Sequence, residues 1–211
     1  MQITMRIFPV GRVLIASAAV LLAAGTAGAQ SPQPAEAGGS TPSPAAQRAE
    51  TPAAYMQRVA NELVAASRSR SALAFATALR SHADLPSIGL SALGSYAPSL
   101  SKSDRPAYYN GMVNWIARYA AKEAPKYPVA KAIVVGQSQV PGGAYVDTVV
   151  TLRDGSSYDI RWKIVRRGST YKIRDAEILL FQMTSVLGNL FQDYISKNGG
   201  NPKALVLALN Q

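Results

Sequence analysis

The chain has 211 residues, with 22 Lys and Arg against 12 Asp and Glu, a formal charge of +10, one histidine and no cysteine. A chain of this length can bury a core that needs no staples. The missing cysteines exclude disulfides, thiolate metal sites and cysteine nucleophiles, and a lone histidine leaves no imidazole cluster for metal or acid–base chemistry.

The first 29 residues have the layout of an export signal. Arg6 and Arg12 supply positive charge, Val13 to Ala24 an apolar core, and Ala27-Gly28-Ala29 an A-x-A cleavage site before Gln30. The core is short for a membrane span, which needs ~20 apolar residues. Cleavage is therefore expected, and no cysteine follows that could carry a lipid anchor. The mature chain is expected in an exported compartment, a bacterial periplasm. Removing Arg6 and Arg12 leaves 20 basic against 12 acidic residues, a charge of +8. Basic chains suggest nucleic acid first, but export and the scattering of the charges argue against it. Anionic headgroups, an anionic membrane surface or an acidic partner fit better.

Residues 30–50 are rich in Pro, Ser, Gly and Ala without apolar period and read as a flexible leader. A single domain is expected over 51–211. Thr51-Pro52 marks a helix start, after which Met56, Val59, Leu63 and Ala66 share a face. A second helix is expected around Ala72 to Arg80, a break with His82 in a loop near Asp84-Leu85-Pro86, and a third helix over IGLSALGSY. Ser101 to Asp104 has capping-box-like spacing. The helix after it carries Tyr109, Met112, Val113, Ile116 and Ala120 on one stripe, with Tyr108, Trp115 and Tyr119 beside it, and stops at Pro125 and Pro128.

Beyond Pro128 the period becomes two. AIVVGQSQV, AYVDTVVTLR, SYDIRWKIV and TYKIRDAEI read as four strands separated by Gly142-Gly143, Asp154-Gly155 and Arg167-Gly168, which predicts antiparallel hairpins. In the third strand Tyr158, Ile160, Trp162 and Ile164 face one way, and Asp159, Arg161 and Lys163 the other. A helix with Met183, Leu187, Leu190 and Tyr194 on one face follows, stopped by Gly199-Gly200, and then the short apolar KALVLAL. Helices, a meander and closing helices predict an α+β fold, with helices packed on one face of a four-stranded antiparallel sheet.

Catalytic signatures are thin. Ser99-x-x-Lys102 and Ser169-x-x-Lys172 match S-x-x-K without the partner motifs of serine acyl enzymes. There is no acidic metal loop and no glycine-rich phosphate loop, so no cofactor, metal or catalytic residue is assigned. Asp147, Asp159 and Asp175 sit on strands. They would be acids of a pocket enzyme or, as we favour, solvated faces and ion pairs. The apolar stripes would serve equally as filled core or as cavity lining, since periodicity is the same for both.

The C-terminal order YKIRD, SVLGNLFQDYISKNGG, ALVLAL resembles the end of the MlaC toluene-tolerance family, periplasmic phospholipid-binding components of MCE-type ABC lipid transport. LGSYAPSLSKSDRPAYYNGMVNWIARYA is similar to that family's L-G-x-Y-W and the helix after it. Two departures stand out. Leu179-Leu180-Phe181 replaces the usual G-V-S, and Gly188 or Asn189 stands where the last long helix usually has an arginine.

The resemblance implies a curved cystatin-like or NTF2-like sheet and a deep apolar cavity for acyl chains. Its candidate lining is Leu93, Tyr109, Met112, Val113, Ile116, Tyr158, Trp162, Ile164, Ile173, Met183 and Leu187, with Asp175 structural at the strand-to-helix turn. It also implies a non-enzymatic carrier of phospholipid moving between an inner-membrane MCE-domain ABC transporter complex and an outer-membrane lipoprotein complex, with transient membrane contact. A hopanoid carrier of the same family and an NTF2-like pocket enzyme are the alternatives.

Overall fold

The computed structural model describes residues 50–211. The leader and export-signal readings therefore lie outside the described residues, apart from Glu50. Helix α1 spans Pro52–Ser69, capped by Thr51, whose Oγ1 accepts the Ala54 N–H at 3.2 Å, and ended by Arg70 in the left-handed region at φ 53°. Helix α2 spans Ala72–His82, capped in the same way by Ser71. Helix α3 spans Leu85–Leu93 and runs into a 3-10 stretch over Gly94–Ser99. It starts three residues before the IGLSALGSY segment, because Asp84 takes the N-cap position and Pro86 suits the first turn.

Helix α4 spans Arg105–Glu123, and Ala124–Lys126 closes it as 3-10 at the expected prolines. The strands β1 Val129–Val140, β2 Gly143–Leu152, β3 Ser157–Arg167, β4 Thr170–Ile178 and β5 Phe181–Gln182 form an antiparallel sheet in sequence order. Helices α5 (Met183–Lys197) and α6 (Pro202–Leu209) complete the chain. The four expected strands are present and a short fifth joins them. Two residues are too few to show a period, so no pattern announced β5.

Alternation sets the sheet's faces. Along β3, Asp159, Arg161 and Lys163 are exposed, while Tyr158, Ile160 and Trp162 are half-buried and Ile164 is fully buried under α1. The pairing of β3 with β4 shifts after Lys163, placing Arg174 as an extra residue, the signature of a bulge. Packing divides the core in three. Tyr55, Met56 and Val59 of α1 sit on Ala144, Val146 and Ile164 of the sheet. Ala76 of α2 meets Val113 and Ala117 of α4. Leu93, Tyr108, Met112, Phe191, Ile195 and Leu205 join α3, α4, α5 and α6.

His82 is not in a loop. It ends α2 and is buried, its Nε2 2.7 Å from Glu62 Oε2 and its Nδ1 3.3 Å from the Tyr55 hydroxyl. The β4–β5 turn is unusual for another reason. Leu179 and Leu180 both have positive φ, 51° and 68°. Such two-residue turns favour Asn-Gly, and a branched side chain there costs on the order of 1–2 kcal/mol per residue.

Candidate functional site

An apolar cavity of about 290 Å³ lies between the sheet and the helices α1, α2 and α4. Its floor is a cross-strand patch, with Ala132 on β1, Thr148 and Val150 on β2, and Ile160 and Trp162 on β3. Antiparallel register creates that patch, since Ala132 pairs with Val150 and Thr148 with Ile160. One wall is the α1 stripe Ala60, Leu63, Val64 and Ser67, at the three- and four-residue spacing of a helix face. Phe75 of α2, Ala120 and Glu123 at the end of α4, and Ala124, Tyr127 and Val129 close the rest.

The space exists because four lining positions, Ala60, Ala120, Ala124 and Ala132, carry alanine. Larger side chains there would fill it as ordinary core. The floor has two polar side chains, and they satisfy each other. Trp162 Nε1 donates to Thr148 Oγ1 at 2.9 Å, and that hydroxyl donates to the Ile160 carbonyl at 3.4 Å. Glu123 is held by Lys126 Nζ at 2.8 Å. The wall thus offers a ligand dispersion contact and few free hydrogen-bonding groups, which suits a hydrocarbon chain and disfavours a polar substrate.

A comparison with known families finds the MlaC protein family over residues 53–211, about three quarters of the chain. The chain belongs to the MlaC family. Among solved structures it is similar to the phospholipid-binding protein from Ralstonia solanacearum determined in complex with a phospholipid. The TM-score is 0.62 at 16% identity, covering 75% of this chain and 94% of that one. At that identity the likeness speaks for the fold. No curated protein sequence matches the chain.

In this MlaC-family chain the candidate lining residues divide among different places. Trp162 lines the cavity. Ile164 is fully buried between sheet and α1, with Ile173 packed beside it. Leu93, Met112 and Leu187 are buried in the α3–α6 helical core, and Tyr109 and Ile116 pack against it. Val113 is buried between α4 and α2. Tyr158 is half-buried on β3 opposite Val150, and Met183 is half-buried at the start of α5. No α5 residue lines the cavity, and α1 and the end of α4 supply its helical walls. Sequence reading placed Ala120 on the α4 stripe but assigned none of Ala60, Ala120, Ala124 and Ala132 to the lining, where they count through what they lack. Small residues at inward positions of α1, α4 and β1 were the available signal.

A second, larger recess of about 410 Å³ is polar, and its lining includes Ser91, Lys163, Arg174, Asp175, Gln182 and Thr184. Its chemistry suits water or small polar groups, so the smaller apolar cavity is the lipid candidate. Asp175 has the expected turn role, its Oδ1 accepting the N–H groups of Ala176 at 2.8 Å and Thr184 at 3.0 Å. Asp147 is paired with Arg161 at 2.8 Å. The Tyr55–His82–Glu62 chain has the residue types of a proton relay. Tyr55 is fully buried, and burial, only partly offset by the Arg58 charge, pushes its hydroxyl up to about 12. Neither Tyr55 nor His82 lines either recess, so the chain works as a strap between α1 and α2. Among the described residues no group of His, Asp and Glu could hold a metal, and no helix is long and apolar enough to cross a membrane.

Proposed function

We propose that this protein is a periplasmic lipid carrier that takes the acyl chains of a phospholipid into the apolar cavity and leaves the headgroup outside. The observation that carries this reading is the cavity wall, apolar, widened by four alanines, with its Trp162 and Thr148 polar atoms already paired. Family membership and the phospholipid-bound Ralstonia structure support it. The physical need is large. Each CH₂ moved from hydrocarbon into water costs ~0.8 kcal/mol, so two ordinary chains cost on the order of 20 kcal/mol. A fitted apolar pocket removes most of that barrier without chemistry, so no catalytic group is required.

At about 290 Å³ the cavity is at the lower bound of pockets for drug-sized ligands, roughly 300–1,000 Å³. Two acyl chains therefore require the cavity to widen, with the Leu63–Ser67 half of α1 lifting while Tyr55, Met56 and Val59 stay packed on the sheet. The polar attachments of α1 are of a kind that can open. Gln57 exchanges hydrogen bonds with the Ala132 carbonyl at 3.0 Å and the Val134 N–H at 2.9 Å, the Ala53 N–H donates to Gln137 Oε1 at 3.0 Å, and Arg68 reaches the Ala130 carbonyl. In this reading Trp162 touches the acyl chain, and Leu93, Met112 and Leu187 hold α4, whose far end walls the pocket, against α3, α5 and α6.

Export through a signal cleaved after Ala29, and exchange between an inner-membrane MCE-domain ABC transporter complex and an outer-membrane lipoprotein complex, complete the proposal. The test is mass spectrometry of lipid extracted from the purified exported protein. Bound phospholipid, lost in a Val150→Asp variant that still folds, is the expected result. A hopanoid, a chemically converted lipid, or no lipid would overturn it.

A further inference from the structure

We infer that the β4–β5 turn is a bilayer-inserting tip, with Leu179, Leu180 and Phe181 entering the interfacial layer of a phospholipid membrane. These side chains are 45%, 89% and 49% exposed and are consecutive at the end of a hairpin. Of the other large exposed apolar residues, Leu73 and Leu207 stand singly, as on most surfaces, and Ile133 and Val135 are two apart on β1; only the turn has three in a row. Backbone geometry makes the run more telling. Leu179 and Leu180 occupy the two positive-φ positions that Asn and Gly would fill without strain. Strain held at an exposed site needs a return elsewhere, and folding gives none, because Leu180 is mostly in water.

A bilayer fits this tip better than a protein does. Three side chains on a narrow turn cannot supply the roughly 800 Å² per partner of a stable protein interface. They can bury in the headgroup–acyl boundary, where each CH₂ gains directly. Carboxylates beside the turn limit the depth. Asp159, exposed on β3, is level with Leu179 by the Ile160–Ile178 pairing, and Glu177 lies three residues before Leu180 on β4, so insertion is confined to the turn's own side chains. The mature charge of +8 favours approach to an anionic surface. This deepens the carrier reading, because a carried lipid must leave and enter membranes, but its test is independent of bound lipid.

The absence of cysteine lets one introduced thiol carry an environment-sensitive fluorophore. Labelled Leu180→Cys should blue-shift on vesicles of equal phosphatidylethanolamine and phosphatidylglycerol, and labelled Lys203→Cys on α6 should not. The double variant Leu179→Asn, Leu180→Gly should raise Tm by about 2–8 °C through relief of strain, keep its lipid content, and lose vesicle binding at least tenfold. Leu180→Asp, which also tolerates positive φ, should lose binding too. Unshifted Leu180→Cys, equal shifts at both sites, or undiminished binding in the double variant would overturn the proposal. So would binding to a partner protein that falls in the variants while vesicle binding stays. Loss of lipid content in wild-type protein with vesicle insertion intact would instead count against the carrier reading.

Discussion

Tyr55, His82 and Glu62 tie α1 to α2 through two side-chain contacts of 3.3 and 2.7 Å. A carboxylate only accepts, so His82 Nε2 donates to Glu62, and the Tyr55 hydroxyl meets both His82 Nδ1 and, at 3.4 Å, the His82 carbonyl. Replacing His82 with alanine leaves the buried Tyr55 hydroxyl only the residue-82 carbonyl at 3.4 Å and opens a void, a loss of about 2–4 kcal/mol in urea unfolding. Lipid transfer per folded molecule should stay within a few-fold of wild type, since neither Tyr55 nor His82 lines the cavity; a large transfer loss in folded protein would restore a catalytic role. Asp84 shows the opposite balance. Burial pushes its carboxyl up, but hydrogen bonds from Arg167 at 2.6 Å and from Ser87, with the Arg167 and Arg174 charges, hold it below the usual carboxylate value. A depressed acid stabilises the fold above its unfolded pKa of about 3.9 and loses that contribution as pH falls through the folded value. Wild type should therefore exceed Asp84→Asn by about 1–2 kcal/mol at pH 7. The two should converge once pH falls below the folded value, and parallel pH profiles would refute the pairing.

Elements were legible where a period ran long enough. β3 alternates over a whole strand, and α1 carries both a cap and a stripe, so both were placed from sequence. β5 has two residues and left no pattern, whereas α3 was expected but with its start three residues late, because Asp84-Leu85-Pro86 reads as a break. The site was less legible. Met112 and Leu187 have the periodicity of cavity lining and of core alike, and the structure buries them between helices. A cavity depends on missing volume at alanines, which hydrophobic period does not record. Glycine at the β1–β2 turn is where sequence and structure agree for different reasons. Gly142 has φ +76° and open space around it, whereas a Cβ on Gly143 would lie 2.0 Å from the Ile164 carbonyl oxygen. Gly142→Ala should cost about 1 kcal/mol. Gly143→Ala should cost at least about 3 kcal/mol by parting β2 from β3. Equal losses in chemical denaturation would mean that the strands relax apart there.

For the whole molecule, stability and the proposed function draw on the same empty space in opposite ways. A cavity left by small side chains forfeits dispersion contacts, so filling it from within should stabilise the lipid-free protein. Ala120 is suited to this, half-buried near the end of α4 and facing the pocket. Ala120→Leu also keeps a strong helix former at that position. Its delipidated form should melt as high as delipidated wild type or higher, while retained phospholipid falls at least tenfold. Ligand linkage supplies the second readout. Adding phospholipid at about a hundredfold over its Kd should stabilise wild type by ~2.7 kcal/mol. For a domain of this size that is a rise in Tm of about 5–10 °C. The filled variant should show little or no rise, because the volume its ligand needs is already occupied. A variant that melts lower, yet still gains the full lipid-dependent rise, would place the acyl chains elsewhere. The α3–α6 core around Met112 and Leu187 would then be the next place to look.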